Sequence, residues 1–332
     1  MSGLLRSAPA APKDYTACSG CGLCLLVCPV WRRTHDIGLT PLGRTKALQH
    51  GALAADIDGS VQSCTLCAAC VPVCPEEIDL IAMTLDLRSR LPQPAGVQSL
   101  LSRMGEEETA LAQTRTAAAV VLLPGRALRE HEVTLTRVIN LLGGAGGIAL
   151  GTDDGADIAL ALEAGAPVPA RRLERFLLPL RRKGRIVVAD GLLLRYLRQW
   201  LPRVSTLSLG EALSDLATVR RRLRASDLYV IEARAYHLSY QRLVKHYDGL
   251  RAAAGCAFNL DLQRIAIPAA ARSLPQRFGL DTIDDGVQVH WILQGRNITR
   301  IVVESLEDGA AFSRESGLPV VHLADLAEDG TS

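Results

Sequence analysis

The sequence predicts a multidomain chain, with a helical cysteine-rich domain at its amino end followed by an α/β region of two related halves. Three observations support this prediction. Eight of the nine cysteines fall between residues 18 and 74. No alternation typical of a strand occurs between them. From residue 118 onward, short apolar runs alternate with longer stretches of helical periodicity, which is typical of α/β layers with a mainly parallel sheet.

The domain boundaries follow from changes in composition. Prolines and small residues near the start predict a mobile tail, Pro92 and Pro94 mark the end of the cysteine-rich domain, and a break near residues 224–227 divides the α/β region. We therefore predict a tail at 1–14, a cysteine-rich domain at 15–92, a linker helix at 93–117, and α/β halves at 118–225 and 226–332.

The cysteines form two copies of the pattern C-x2-C-x2-C-x3-C-P. The first copy contains Cys18, Cys21, Cys24 and Cys28, and the second contains Cys64, Cys67, Cys70 and Cys74. This spacing holds a 4Fe-4S cluster, because steps of three residues bring three thiolates to one face of a cube. Small residues between the cysteines allow the backbone to approach the cluster closely.

The doubled pattern predicts two 4Fe-4S clusters with exchanged fourth ligands. In two-cluster ferredoxins the fourth cysteine of each run binds the cluster of the other run. We therefore assign one cluster to Cys18, Cys21, Cys24 and Cys74, and the other to Cys64, Cys67, Cys70 and Cys28. A disulfide framework would suit a short secreted chain, and structural zinc usually uses two separated C-x-x-C pairs, so both alternatives fit this pattern less well.

The elements around the cysteines are predicted to be helical. A helix follows Pro41 over residues 42–51, and Asp79 can cap a second helix that continues to Leu91. These helices favour a ferredoxin-type dicluster domain of the helical kind over the compact β-hairpin kind.

The α/β region is predicted to contain six short strands and a helix over residues 128–142. The strands are expected at residues 118–123, 148–150, 186–189, 228–231, 301–303 and 320–323. The glycine-rich stretch 143–147 follows a helix and does not open one after a strand, so it is interpreted as a tight turn and not as a nucleotide-binding loop.

The charge balance excludes some functions. The chain carries 37 Lys and Arg against 35 Asp and Glu, which gives no reason to expect nucleic-acid binding. Basic residues concentrated in 171–185 and 220–224 are interpreted mainly as solvated helix faces. No apolar run reaches the length of a membrane span, and the start lacks a signal-peptide pattern. We therefore expect a cytoplasmic protein that could reach a membrane only through a partner.

The doubled motif, Gly43-Arg44 and the segment from Cys74 to Asp79 resemble the dicluster domain of heterodisulfide reductase-like proteins, including the iron-sulfur subunit of glycolate oxidase. The remainder resembles the two cysteine-rich CCG domains of that family, whose cysteines can bind a further, noncubane cluster that carries out disulfide chemistry. The resemblance implies an oxidoreductase complex whose partners are flavoproteins or other iron-sulfur subunits.

The CCG-like halves lack the cysteines of the family. Arg126, Asp153 with Asp154, Leu192 and Tyr236 stand where the family has cysteine. Arg, Asp and Leu cannot replace thiolates as soft ligands, so no third cluster is expected. His237 and His246 are interpreted as ordinary polar residues, a hard-metal site on Asp153, Asp154 and His237 is not favoured, and Cys256 is expected to be a small buried residue.

These features predict an iron-sulfur electron-transfer subunit that relays single electrons through two clusters, with the α/β region as a docking scaffold and no catalytic residues of its own. Two alternatives stay open. The chain could be an assembly or redox-sensing protein, or a catalytic oxidoreductase that acts only with a partner subunit.

Overall fold

The computed structural model describes residues 13–94, 96–99, 102, 119–144 and 147–327. The predicted tail, apart from its last two residues, and most of the predicted linker helix lie outside these ranges. Residues 96–99 and 102, which belong to that linker, are helical. Val97 is buried in the core of the first α/β half.

The cysteine-rich domain is built from short helices, as predicted, and its described residues 13–94 contain no strand. The helices are α1 (Leu23–Leu26), α2 (Pro29–Thr34), α3 (Pro41–Gln49), α4 (Asp58–Ser63) and α5 (Leu80–Ser89). Single 3-10 turns lie at Tyr15–Ala17, Ile37–Leu39 and Ala54–Ile57. Pro29 and Pro41 stand in the first turns of α2 and α3, where a missing N–H costs nothing. The Asp79 carboxylate accepts a hydrogen bond from the Ala82 N–H, which confirms the predicted cap of α5.

The region after residue 118 contains two parallel four-stranded sheets. The first is formed by β1 (Val120–Leu123), β2 (Ile148–Leu150), β3 (Arg185–Val188) and β4 (Ser205–Ser208). The second is formed by β5 (Asp227–Val230), β6 (Ala257–Phe258), β7 (Arg300–Val303) and β8 (Val320–His322). Their strand orders are β2-β1-β3-β4 and β6-β5-β7-β8. Because the second order repeats the first, the topology supports the interpretation of two related halves.

Helices connect the strands of both sheets. Those of the first half are α6 (Gly125–Arg129), α7 (Glu132–Gly143), α8 (Ala156–Glu163), α9 (Ala170–Leu180), α10 (Gly191–Trp200), α11 (Leu209–Ser214) and α12 (Ala217–Arg220). Those of the second half are α13 (Ala233–His237), α14 (Tyr240–Ala254), α15 (Leu274–Arg277), α16 (Gly286–Leu293) and α17 (Leu306–Glu315). A final 3-10 turn covers Leu323–Ala327.

Three predictions for the α/β region need correction. The helix predicted over 128–142 is two helices, because the chain leaves helical geometry at His131 between α6 and α7. The predicted set lacks strands β4 and β6, since three of the four residues of β4 are polar and β6 has only two residues. Arg172 is not solvated: it is buried and pairs with Asp153 and Asp157.

The glycine-rich stretch 143–147 ends α7, as expected for a turn. Gly144 and Gly147 have φ angles of 39° and 65°, which favour glycine. Residues 145 and 146 lie outside the described part of the chain.

The cysteine-rich domain packs directly on the α/β region. Leu66 and Ala68, from the second cysteine run, share a buried apolar cluster with Leu192 of the first half and Leu238 of the second. A second cluster joins Val27 and Ala69 to Ile265. Helices of the described ranges are all too short or too polar to cross a bilayer.

Candidate metal centre

Two cavities in the cysteine-rich domain gather its eight cysteines into two groups. The first cavity is lined by four cysteines, three from the first run and one from the second: Cys18, Cys21, Cys24 and Cys74. The second cavity has the reverse composition: Cys64, Cys67, Cys70 and Cys28. We call these sets the first and the second cysteine group. The same partition follows from the exchange of fourth ligands inferred from the sequence.

The two cavities are neighbours. Pro41, at the start of α3, lines both of them. Cys70 of the second group also lies in one apolar cluster with Cys18, Cys24 and Cys74 of the first. Both groups therefore border the same apolar cluster.

The groups differ in exposure. Cys21 of the first group is exposed, whereas Cys28 and Cys70 of the second are buried. No atom lies within 4 Å of the position that a Cβ on Gly22 would take, so the backbone beside Cys21 borders open space. The first cavity therefore lies nearer the surface than the second, although Cys64 and Cys67 of the second group are only half-buried.

Burial raises the pKa of four of the eight thiols: Cys24, Cys28, Cys67 and Cys70. Burial, followed by the neighbouring thiols Cys18, Cys21 and Cys74, raises the pKa of Cys24 to about 11. Burial raises the pKa of Cys28 to about 12. A group of four thiolates therefore needs positive charge supplied inside the cavity, which bound iron provides.

The pKa of Cys64 is shifted in the opposite direction. Burial alone would raise its pKa, but the guanidinium groups of Arg44 and Arg88 and a hydrogen bond from the Leu66 N–H outweigh that effect and lower it. Positive side chains therefore already favour an anion at this sulfur.

Two glycines allow the loop of the first cysteine run to turn around its cavity. Gly20 and Gly22 have φ angles of 82° and 79°, a left-handed geometry that glycine adopts without steric cost. The Cys18 carbonyl accepts hydrogen bonds from Lys46 Nζ at 3.1 Å and from Gln49 Nε2 at 3.0 Å, both on α3. The loop is held by its own domain.

The second run makes the same turns without glycine. Leu66 and Ala68 occupy the positions of Gly20 and Gly22 and have φ angles of 50° and 62°. Left-handed geometry at a residue with a Cβ costs on the order of 1–3 kcal/mol and persists only where surrounding contacts impose it.

Arg88 on α5 supplies part of those contacts. Its guanidinium donates to the Cys64 carbonyl at 2.6 Å and to the Val61 carbonyl at 3.3 Å. It also donates to the Glu163 carbonyl, at 2.6 Å, in the first α/β half. Burial lowers the Arg88 pKa to about 10, which leaves the side chain charged at neutral pH.

Arg234 and His237 on α13 supply further hydrogen bonds to the loop of the second run. Arg234 donates to the Thr65 carbonyl at 3.2 Å, and His237 Nδ1 lies 2.7 Å from the Cys67 carbonyl. His237 Nε2 accepts from the Ala266 N–H, so the ring proton is on Nδ1 and is donated to Cys67. Burial lowers the His237 pKa to about 4, and the ring is therefore neutral at neutral pH.

Helix α13 is placed there by the second sheet. It begins directly after β5, and the Glu232 side chain caps it by accepting from the Arg234 and Ala235 N–H groups. Arg234 and His237 are three residues apart and so project from one face of the helix.

Glu163 joins Arg234 and Arg277 in one ion-pair network. Its carboxylate is buried and lies 3.0 Å from Arg234 and 2.6 Å from Nε of Arg277. Arg277 also pairs with Glu307. The guanidinium groups hold the pKa of Glu163 below its usual range despite burial, so the network contains paired charges.

The positions that hold cysteine in the resembled family have other roles here. Asp153 pairs with Arg172 and Asp154 with Arg129, both at 2.8 Å. Arg126 is exposed and pairs with Glu130. Asp153, Asp154 and Arg126 are therefore engaged in ion pairs, and the two aspartates do not form a ligand set with His237.

The remaining candidates are also accounted for. Cys256 is buried in the apolar core around β5, and burial raises its pKa to about 11. His246 lies 2.9 Å from the Ser214 hydroxyl. Throughout the described ranges, no three Cys, His, Asp or Glu side chains are placed to bind a single metal ion.

Comparison with known proteins supports an iron-sulfur protein with an electron-transfer role. Residues 14–78 match the family described as the 4Fe-4S dicluster domain, which covers about a fifth of the chain. No curated protein and no solved structure matches the sequence. The family match thus supports 4Fe-4S binding at the amino end and leaves the α/β region to be interpreted from its structure.

Sequence reasoning missed the residues that hold the second run. Arg88 is 24 residues from Cys64, and His237 is 170 residues from Cys67, so no local spacing reveals either contact. One signal was available: Leu and Ala stand in the second run where the first has glycines.

Proposed function

We propose that this protein is an electron-transfer subunit that relays single electrons through two 4Fe-4S clusters, within a heterodisulfide reductase-like or hydroxy-acid-oxidising complex. The observation that carries the proposal is the grouping of the cysteines, in which each cavity is lined by three cysteines of one run and the fourth of the other. Cys18, Cys21, Cys24 and Cys74 would hold one cluster, and Cys64, Cys67, Cys70 and Cys28 the other.

The residues fit such clusters. Four soft thiolates per cavity are the ligands that 4Fe-4S clusters use, and the raised pKa values of Cys24 and Cys28 mean that bound iron would stabilise thiolates that the protein alone does not favour. Each cluster would supply a one-electron redox centre. The chain fixes the positions of the sulfurs and keeps the two groups adjacent.

Exposure suggests the direction in which partners approach. Cys21 and the open space beside Gly22 give a redox partner access to the first group. The second group is covered by the α/β region through the apolar cluster of Leu66, Ala68 and Leu192. We therefore propose that a protein partner, such as a flavoprotein or another iron-sulfur subunit, exchanges electrons at the first group.

The test is anaerobic purification of the full chain with whatever proteins remain bound, followed by reduction in a stopped-flow instrument. A relay predicts reversible reduction of both clusters and rapid electron exchange with a co-purified flavoprotein or iron-sulfur protein. Cys21→Ser should slow that exchange, whereas Cys256→Ser, a matched change at a cysteine outside both groups, should leave it unchanged.

Irreversible loss of the clusters on oxidation, coupled to a change in partner binding, would instead support the redox-sensing alternative. Substrate turnover by the isolated chain would contradict a role limited to electron transfer.

A further inference from the structure

The backbone of the second cysteine run is held partly by side chains of the α/β region. The carbonyls of Cys64, Thr65 and Cys67 each accept a hydrogen bond from a buried side chain, namely Arg88, Arg234 and His237 respectively. Two of these three donors, Arg234 and His237, belong to α13 of the second half. In the first run, by comparison, the Cys18 carbonyl is held by residues of α3.

These contacts set the direction of the backbone N–H groups. In a trans peptide the C=O of one residue and the N–H of the next point in opposite directions. A Thr65 carbonyl turned toward Arg234 therefore turns the Leu66 N–H the other way, toward the Cys64 sulfur, whose pKa this N–H lowers. The Ala69 N–H acts in the same direction on the pKa of Cys67. Hydrogen bonds to ligand sulfurs are one of the ways in which a protein sets the potential of an iron-sulfur cluster.

The same side chains bring charge close to the second group. Arg44 lines the cavity, while Arg88 and Arg234 contact its loop. Positive charge stabilises the reduced form of a cluster, which carries one more negative charge than the oxidised form. Apolar contacts from Leu192 and Leu238 hold Leu66 and Ala68 in their strained turns.

We infer that the α/β region acts on the second 4Fe-4S cluster through Arg234 and His237, which position its cysteine loop and, with Arg88, raise its reduction potential and retain its iron. This inference rests on the proposed function. Arg234 and His237 are then positioning residues. The α/β region would control a cluster of the neighbouring domain without binding a third cluster itself.

The experiment compares Arg234→Met with wild type in the anaerobic full-length holoprotein. A redox titration with dithionite, followed by EPR, measures both midpoint potentials, with each cluster accepting one electron from the reductant. In a parallel assay, an iron chelator and iodoacetamide are added together, and mass spectrometry locates the cysteines that become alkylated.

Arg234→Met is expected to move one midpoint potential to a more negative value and leave the other in place. Alkylation of Cys64, Cys67 and Cys70 should become about tenfold faster, as is usual when a residue supporting a metal ligand is lost. Alkylation of Cys18 and Cys21 should keep its wild-type rate. Arg234→Lys, which retains the charge, should recover most of the potential.

Arg277→Met is the matched control, because Arg277 pairs with the same Glu163 and with Glu307. Because Arg277 belongs to the same buried network but does not contact the cysteine loop, this change should leave the first potential in place and move the second much less than Arg234→Met does. His237→Phe tests the hydrogen bond to Cys67 separately and keeps the inference testable if Arg234→Met does not fold: it should accelerate alkylation of the second group with a smaller shift in potential.

Unchanged potentials in Arg234→Met, or equal effects on both clusters, would overturn the inference. So would an equal shift in Arg277→Met. A failure of the proposed function is seen separately, because it would appear as missing iron in the wild-type protein before any variant is made.

Discussion

The two cysteine runs share one spacing but reach the same backbone geometry by different means. The first run places Gly20 and Gly22 at its left-handed positions, lies at the surface, and takes its support from α3. The second places Leu66 and Ala68 there, lies deeper, and is held by Arg88 and by residues of the α/β region. The first loop is thus locally encoded, whereas the second depends on tertiary contacts.

This difference teaches that an identical motif does not imply an identical site. A glycine loop adopts its conformation with little help, so it can remain exposed to a partner. A loop with side chains at the same positions gains apolar contacts with Leu192 and Leu238 but needs donors around it to offset the strain.

Exchange of the fourth ligands is tested by Cys28→Ser and Cys74→Ser. Each replacement should damage the cluster of the opposite run, because Cys28 lines the cavity of the second group and Cys74 that of the first. We expect Cys28→Ser to lose or convert the second cluster and to leave Cys18 and Cys21 protected from alkylation. EPR and mapping of alkylated cysteines check this outcome. Loss of protection at Cys18 in Cys28→Ser would contradict the assignment.

Arg88→Met should destabilise the protein far more than Lys46→Met. Arg88 donates to carbonyls of Cys64, Val61 and Glu163 that would lose their buried donor, at a cost of about 3 kcal/mol. Lys46 is half-buried and donates to Cys18, so its loss should cost about 1 kcal/mol. Anaerobic denaturant unfolding measures both free energies of unfolding. Equal costs would remove the distinction between the two loops.

The residue types at the matching left-handed positions, Gly22 and Ala68, can be exchanged between the runs. Gly22→Ala places a Cβ in open space at a φ of 79°, so its cost should be conformational only, about 1 kcal/mol. Ala68→Gly should be nearly neutral, since relief of a similar strain is offset by the loss of a buried methyl worth about 0.8 kcal/mol. Thermal unfolding of both variants provides the comparison. A marked loss of stability in Ala68→Gly would show that its turn is not strained.

Cys256→Ser should have the smallest effect on the clusters. Cys256 is buried in the core around β5 and its thiol has a raised pKa, so it is not expected to bind iron. Iron content and EPR spectra should match wild type, with a modest loss of stability from the buried hydroxyl. Altered spectra would show that the α/β region contributes a ligand.

Much of the fold follows from sequence because its signals are local. Asp79 caps α5, Pro41 begins α3, and the apolar runs at β1, β3, β5 and β7 have the length and composition of buried parallel strands. The residues that support the second loop could not be predicted in this way. Arg234 and His237 contact it only because two separate elements, α13 and the loop, meet across the domain boundary, and periodicity carries no information about such meetings.

The α/β halves illustrate the same limit. Their missing cysteines predict, from sequence alone, that no third thiolate cluster binds there. What stands in their place required the structure: Leu192 lies in the apolar cluster that contains Leu66, and the Tyr236 hydroxyl donates to the Arg264 carbonyl at 2.8 Å. A position that loses a ligand can acquire a supporting contact, and only the distances reveal it.

The central claim is that two groups of four cysteines each hold a 4Fe-4S cluster. The most direct measurement is the content of iron and acid-labile sulfide per chain after anaerobic purification. The account predicts about eight irons and eight sulfides, which is twice the content of a single 4Fe-4S cluster. A reproducible value of about four irons, or a colourless protein without iron, would contradict it.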